Sequence, residues 1–315
     1  MVDALIQHMK YYLSAALTIK TKWFDSLKEW FLWNKFIGVE HFYIVDDNKG
    51  KPLGDFFRNF SSDITFIEDV EADSNIPQRD LFKKIYNEYG HESHWLAFID
   101  DDEYIMSLQE LSFLSFLKSV ENKSGVELAS RFFGPHGYKK HEGLKCHENN
   151  LTLDRYWLYE SNPILKTIVN SRIVESLSDG GSVHRLLSEG AIDCFGNPVE
   201  SLSETQISND WGFDDKVVNN AGRVHNPRFV INHYGLRSLE EIEYKLFERG
   251  FAEGERISDE GVTYRAHKLL KQLFSTTKHN NLNHKGGFNY FYFKSCLPTV
   301  RLEFKQYCED HKDKF

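Results

Sequence analysis

The chain has 315 residues, of which 41% are hydrophobic and 27% charged, a globular composition that can bury a substantial core. Its formal net charge of −9 argues against a general nucleic-acid binder, because contacts with phosphates need clustered lysine and arginine. No apolar run approaches the roughly 18 residues of a membrane-spanning helix. The first ten residues do not have the pattern of a signal peptide, because polar residues interrupt them, and the four cysteines form no CxxC pair. We therefore expect a cytoplasmic protein without a transmembrane segment, either free or peripheral to a membrane.

Strands and helices alternate along the first hundred residues. Apolar runs rich in aromatic and β-branched residues predict strands, and apolar positions at helical spacing predict helices. The predicted strands are Tyr11–Ile19, His41–Val45, Ile64–Ile67 and Trp95–Ile99, and the predicted helices are 24–37, capped by Gly38, and Arg79–Tyr89. This alternation is typical of an α/β fold with a mostly parallel sheet flanked by helices.

The strand Trp95–Ile99 ends abruptly in four acids, Asp100 to Glu103. Carboxylates are costly to bury, so we expect them to emerge at the carboxyl edge of the sheet, where open α/β sheets bind ligands. In an extended chain Asp100 and Asp102 point to the same side, and a hard cation such as Mg²⁺ or Mn²⁺ between them would relieve their repulsion. The alternative is a solvated acidic loop without function.

A second pair of acids, Asp46 and Asp47, follows the strand His41–Val45. Right-handed crossovers would bring both acidic strand ends to one edge of the sheet. A nucleotide could lie between them, with its base and ribose near Asp47 and its diphosphate near Asp100–Glu103.

The second half of the chain is less regular. We predict a helix over 108–120, a strand over 229–234, and a helix that Ser238 begins with Glu241 as its capping-box partner. Two further strands are predicted at Val126–Phe133 and Ile164–Val169. The loop after Phe133 carries His136 between glycines, and a stretch rich in acids and aromatics contains Asp210, Trp211, Asp214 and Asp215.

Several of these segments together resemble the family-92-like branch of the family-2 type glycosyltransferases, which have the GT-A fold. The resemblance covers roughly residues 11–255, and Lys20-Thr21-Lys22 departs from the Lys-Asn-Glu of the family. The matching motifs are Glu29-Trp30, Ile37-Gly38-Val39, Phe98 through Asp100-Asp101-Asp102 to Tyr104, Asn232-His233-Tyr234, Arg237-Ser238, and Lys245 through Arg249-Gly250. The resemblance implies a GT-A-type, Rossmann-like transferase domain at 1–255 and a helical or irregular C-terminal extension at 256–315 packed on it.

The resemblance also implies roles for individual residues. It implies an inverting transfer of a sugar from a nucleotide-diphosphate donor, with UDP expected, to a glycan or lipid-linked glycan, aided by Mn²⁺ or Mg²⁺. The implied metal ligands are Asp100, Asp102 and His233, and the implied donor contacts are Lys20, Asp47, Gln78, Asp100 and Asp101.

An inverting transfer also needs a general base near the acceptor hydroxyl. Asp214 or Asp215 is the preferred candidate, with Asp210 and Glu103 as alternatives. His136 and Trp211 are candidate acceptor contacts, and His184 is a candidate near the diphosphate. Each of these side chains could instead be an ordinary loop residue. A non-catalytic carbohydrate- or protein-binding module of the same fold, and a nucleotidyltransferase, are the competing functions.

Overall fold

The computed structural model describes residues 9–48, 53–67, 77–107, 111–134, 140, 157–178, 186–187, 190–194, 196–198, 228–235, 237–245 and 298–314. The strands are β1 Tyr11–Ile19, β2 His41–Asp46, β3 Ile64–Phe66, β4 Ser93–Phe98, β5 Glu103–Ser107, β6 Gly125–Gly134, β7 Trp157–Asn170, β8 Ala191–Ile192 and β9 Phe229–His233. The helices are α1 Phe24–Ile37, α2 Leu53–Phe56, α3 Gln78–Tyr89, α4 Phe113–Ser119, α5 Leu239–Tyr244 and α6 Pro298–Asp310, with short 3₁₀ turns at Arg58–Asp63, Gly90–Glu92 and Lys312–Lys314.

The strands form one mixed sheet in the order β3-β2-β1-β4-β7-β6-β9-β5, with β8 beside β6. Five of the eight strand pairings within the described part of the chain are parallel, and the pairings β4–β7, β6–β7 and β5–β9 are antiparallel. The predicted α/β fold with a mostly parallel sheet and flanking helices is therefore confirmed.

The strand order reverses at β1. The chain runs from β1 outward through β2 to β3 and then returns to place β4 on the other side of β1. Open α/β sheets bind their ligands in the crevice at the carboxyl ends of the strands flanking such a reversal. Here those ends are Ile19 of β1 and Phe98 of β4.

Helix α1 covers the sheet and fixes the position of β5. Gly38, the capping residue that follows Ile37, has a φ of +108°, a left-handed conformation that glycine adopts readily, so the predicted cap is confirmed. The buried indole N–H groups of Trp30 and Trp33 donate to the carbonyls of Glu103 (2.8 Å) and Ile105 (3.0 Å). These bonds satisfy buried backbone acceptors on the strand that follows the acidic segment.

The structure corrects the conformation expected for the acidic segment. The chain turns at Asp101 and Asp102 instead of staying extended, because a new strand, β5, begins at Glu103 and pairs antiparallel with β9. Asp100 and Asp102 are therefore not successive same-face residues of one strand. The strand β5 was not predicted, because no element was assigned between the acids and the helix expected from Leu108.

The predicted boundary of α4 also changes. This helix begins at Phe113, not at Leu108, because the hydroxyl of Ser112 accepts a hydrogen bond from the N–H of Ser115 (3.3 Å) and caps it there. The other predicted elements within the described ranges differ from the observed ones by only a few residues, except β7, which begins seven residues earlier than predicted, at Trp157 instead of Ile164.

Helix α6 packs against α1 through aromatic side chains. The ring of Phe304 meets those of Trp33 (4.9 Å between centroids) and Phe36 (5.5 Å). Cys308 on the same helix is buried, and neither it nor Cys194 forms a disulfide. The extension predicted at 256–315 is described only over 298–314, where it is helical and contacts the first helix.

Candidate functional site

The acids after β4 form a tight turn at the carboxyl edge of the sheet, beside the reversal of strand order. The N–H of Glu103 donates to the carbonyl of Asp100 (3.1 Å), and the side chain of Glu103 accepts from the N–H of Asp100 (2.9 Å). Asp101, Asp102 and Glu103 are buried. A buried acidic turn needs compensating cations, and two neighbouring elements supply them.

Asp100 lies between α3 and β7. Its Oδ1 accepts from Nε2 of Gln78 (2.7 Å), and its Oδ2 accepts from Nζ of Lys166 (2.7 Å). The same ammonium lies 3.0 Å from Oε2 of Glu103. Lys166 is 0% exposed, so its ammonium has no contact with solvent, and these two carboxylates compensate its charge.

Asp102 lies against β9 and the segment after it. Its Oδ1 is 3.2 Å from Nε2 of His233, and its Oδ2 accepts from Nζ of Lys245 (2.8 Å). Its backbone carbonyl accepts from the N–H of Tyr234 (2.8 Å). Lys245 also donates to the carbonyl of Gly235 (2.8 Å). The carboxylate of Asp102 thus contacts a segment, His233 to Lys245, that lies more than 120 residues further along the sequence.

The ring of His233 lies close over the backbone of Gly235. A Cβ atom on Gly235 would stand 2.7 Å from Nε2 of His233, which is closer than real Cβ atoms approach other groups. Glycine at this position therefore lets the imidazole reach Asp102.

The buried ion pair of Arg237 and Glu241 lies next to Lys245. Nη2 and Nε of Arg237 donate to the carboxylate of Glu241 (2.6 and 3.0 Å), which lies 3.4 Å from Lys245. The hydroxyl of Ser238 accepts from the N–H of Glu241 (3.0 Å), so Ser238 is the N-cap of α5, as predicted. The carboxylate of Glu241 accepts from the N–H of Arg237, the residue before the N-cap. In the predicted capping box the N–H of the N-cap itself, Ser238, would donate to that carboxylate.

The charges shift the pKa values of this site in opposite directions. Burial raises the pKa of Asp100, but Lys166 outweighs it and leaves that pKa at about 2. Burial likewise opposes ionisation of Asp102, yet Lys245 and His233 hold its pKa well below the usual range. For Glu103 burial prevails over Lys166, and its pKa is raised. Burial lowers the pKa of His233, and Asp102 more than reverses this, so the net pKa is raised and favours the imidazolium.

The end of β2 forms the other side of this edge. Nζ of Lys20 lies 3.4 Å from Oδ2 of Asp47, both partly exposed. Asp46 accepts from the N–H of Leu53 (2.7 Å) and from Asn48, whose side-chain oxygen accepts from the N–H of Thr21 (2.8 Å). Asp46 therefore organises the loop, while Lys20 and Asp47 remain accessible.

The structure brings together the predicted residues Gln78, Asp100, Asp101, Asp102 and His233 around the turn, and places Lys20 with Asp47 at the neighbouring strand end. Six predicted residues lie outside the described part of the chain, so they stay predictions. These are His136, His184, Asp210, Trp211, Asp214 and Asp215. Glu103, an alternative general base, is fully buried and held by Lys166, which argues against contact with an acceptor.

Two cations of the site, Lys166 and Lys245, were given no role from the sequence. Lys166 was detectable in principle, because a lone lysine inside the apolar run Ile164–Val169 needs a buried counter-charge. Lys245 belongs to the segment that resembles the transferase family, but no local pattern indicates that it reaches Asp102, 143 residues away.

The carboxylates carry the side-chain types that bind Mg²⁺ or Mn²⁺, but their contacts do not fit such an ion as they stand. All four side-chain oxygens of Asp100 and Asp102 lie within 3.2 Å of a nitrogen of Gln78, Lys166, His233 or Lys245. Among the described residues no group of three or more acidic, histidine or cysteine side chains is arranged to hold a metal ion. Metal binding at Asp102 would require Lys245 to leave.

Comparison with known proteins adds little to this geometry. No family model matches the chain, and no curated protein does. Among solved structures, HddC from Yersinia pseudotuberculosis is 13% identical with a TM-score of 0.33, covering 58% of this chain and 90% of its own. S. aureus TarS 1–349 is 10% identical with a TM-score of 0.34, covering 96% and 88%, and its complex with UDP-GlcNAc scores 0.33. TM-scores this low do not indicate a shared function.

No helix in the described ranges is long and apolar enough to cross a membrane.

Proposed function

We propose that this protein is a glycosyltransferase that moves a sugar from a nucleoside-diphosphate donor, with UDP as the nucleotide, to a hydroxyl of a glycan or lipid-linked glycan. One observation carries the proposal. The two segments that together carry the sequence resemblance, at Asp100–Tyr104 and Asn232–Tyr234, are neighbours in the structure, because β5 pairs with β9 and places Glu103 opposite His233 and Tyr104 opposite Asn232. Glu103 also bonds the N–H of Asp100, so this contact lies next to the carboxyl end of β4, one of the strands that flank the reversal where α/β folds bind nucleotides.

The arrangement suits a diphosphate leaving group. Departure of a nucleoside diphosphate develops negative charge on its oxygens, and fixed cations in a site shielded from water stabilise that charge. Lys245 and His233 are partly exposed at the turn, and Lys20 is partly exposed at the end of β1. Inversion at the sugar carbon, with Asp214 or Asp215 as the base, stays a prediction. So do the acceptor contacts of His136 and Trp211. The divalent cation that the resemblance implies is untested, and the nitrogen contacts of Asp100 and Asp102 argue against it.

Thermal unfolding in the presence of nucleotides tests the proposal. We expect UDP, in contrast to GDP, CDP and CMP, to raise the melting temperature, because a ligand at 100 times its Kd adds about 2.7 kcal/mol to the free energy of unfolding. Each nucleotide is measured with Mn²⁺, with Mg²⁺ and with EDTA. A panel of UDP-sugars then identifies the donor by its hydrolysis.

The variant Asp102→Asn should lose the UDP shift, since it uncouples His233 and Lys245 from the turn. The matched control is Asp55→Asn, whose carboxylate forms an exposed ion pair with Arg58 away from the site. If no nucleotide shifts the melting temperature under any condition, the protein is not a nucleotide-sugar transferase, and a non-catalytic module becomes the better explanation.

A further inference from the structure

The cations around the acidic turn are built in. Lys166 lies within β7 and meets Asp100, whereas Lys245 directly follows α5 and meets Asp102, so the two cations come from different elements of the fold. Lys245 has a side chain only 15% exposed and is held by Asp102 and the carbonyl of Gly235. A surface lysine that met a carboxylate by chance would not be enclosed in this way.

The charges nearly balance without any added ion. Five carboxylates surround the turn within the described part of the chain, namely Asp100, Asp101, Asp102, Glu103 and Glu241, and they face the cations Lys166, Arg237 and Lys245 together with His233. A divalent cation draws its affinity from uncompensated oxygen ligands. Here the oxygens of Asp100 and Asp102 already have nitrogen partners.

We propose that Lys245 takes the place of a divalent cation at Asp102, so that this protein binds its donor diphosphate without one. The inference rests on the proposed function in its second part, the donor, but its first part concerns only Asp102 and its partners. The ammonium lies 2.8 Å from Oδ2, and the imidazole of His233 covers Oδ1 at 3.2 Å. A metal ion and Lys245 therefore compete for the same carboxylate.

Titration with Mn²⁺, followed by the loss of the free-ion paramagnetic resonance signal, tests the first part. We expect only weak Mn²⁺ binding in the wild type and binding about 10–100-fold tighter in Lys245→Gln, the range by which contacts around a ligand change metal affinity. Lys245→Arg, which keeps the charge, should behave as the wild type. The double variant Lys245→Gln/Asp102→Asn should lose the new site.

The matched control for this titration is Lys35→Gln, which also removes a lysine from a carboxylate, since Lys35 lies 2.9 Å from Asp63 outside the site. It should gain no Mn²⁺ site. A wild-type protein that binds one Mn²⁺ tightly, and loses it in Asp102→Asn, would overturn the inference. So would a folded Lys245→Gln that gains no site.

Calorimetric titration with UDP, in EDTA and in Mn²⁺, tests the second part. We expect the wild-type affinity to be the same in both, and Lys245→Gln to lose binding in EDTA. Binding that occurs only with Mn²⁺ would refute the inference and leave the transferase proposal intact. No binding of UDP in either buffer, with the Mn²⁺ titrations as expected, would refute the transferase proposal while Lys245 keeps its place at Asp102.

Discussion

Lys166 is a fully buried lysine whose ammonium lies between two carboxylates, those of Asp100 and Glu103. Its own burial disfavours the charged form, but both carboxylates favour it, and the net effect raises its pKa. The two carboxylates therefore favour the charged form of this side chain beside the turn. Removing one partner of such an arrangement leaves the others buried without compensation, which is much more costly than losing a surface pair.

We expect Lys166→Met to lower the free energy of unfolding by about 3–5 kcal/mol, because two buried carboxylates lose their cation. Urea denaturation at neutral pH measures this. The matched control, Lys35→Met, removes a partly exposed partner of Asp63 and should cost about 0–1 kcal/mol. Equal losses in the two variants would show that the buried network contributes no more than a surface ion pair.

At the scale of elements, β2 begins with a buried histidine on the edge of the sheet opposite the acidic turn. The ring of His41 stacks on Tyr11 (4.3 Å between centroids), and its Nε2 lies 2.8 Å from the hydroxyl of Thr65 on β3. Burial lowers its pKa, opposed by the charges of Glu92 and Asp63, while Lys10 and Lys35 add to the lowering. His41 therefore joins three neighbouring strands as a neutral side chain.

This packing predicts a pH dependence of stability. Because the folded pKa of His41 is lower than its unfolded value of about 6.5, the unfolded chain takes up the proton first as the pH falls. Stability is therefore unaffected by His41 above that value and declines below it, by at most about 1.4 kcal/mol per pH unit. Urea denaturation at pH 7.5, 6.5 and 5.5 measures the decline.

The variant His41→Gln isolates this contribution, since it lacks the titrating ring. The slope of its stability against pH should be smaller than that of the wild type below pH 6.5. His94, whose pKa burial also lowers, titrates in the same direction in both proteins and so cancels in the comparison. Parallel slopes would mean that His41 is protonated in the folded protein as readily as in the unfolded chain.

At the scale of the whole molecule, α6 packs on α1, and we expect the two to unfold together with the sheet in one cooperative transition. Phe304 is fully buried against α1, whereas Leu302 on the same helix is 64% exposed. Helix α1 also donates the two tryptophan hydrogen bonds that hold β5. Loss of the contact with α6 should therefore affect the main body of the protein.

We expect Phe304→Ala to lower the free energy of unfolding by about 3–5 kcal/mol within a single transition, because it leaves a cavity against Trp33 and Phe36. Leu302→Ala, the control, should change it by less than about 0.5 kcal/mol, as exposed positions do. Thermal unfolding followed by near-ultraviolet circular dichroism reports both values. An early separate transition in Phe304→Ala would indicate instead that α6 unfolds independently of the sheet.

Local periodicity determined most of the elements in the first half of the chain. The bounds of β1 and α1, the glycine cap and the carboxyl-edge position of the acids follow from patterns within a few residues, because burial on one face imposes a period of two or 3.6. The Ser238 N-cap is equally local, since its hydroxyl bonds an N–H only three residues away. The amino-acid types of the acidic segment also indicated a charged site at that edge.

Only the tertiary structure decided what those acids contact. Extended geometry predicted two carboxylates side by side, whereas pairing of β5 with β9 makes the chain turn at Asp101 and Asp102. The partners Lys166 and Lys245 come from 66 and 143 residues away along the sequence. No local pattern specifies such contacts, because they depend on which strands become neighbours in the sheet. The sequence alone therefore shows that the site is acidic. Which cations compensate those acids depends on how the fold brings distant segments together.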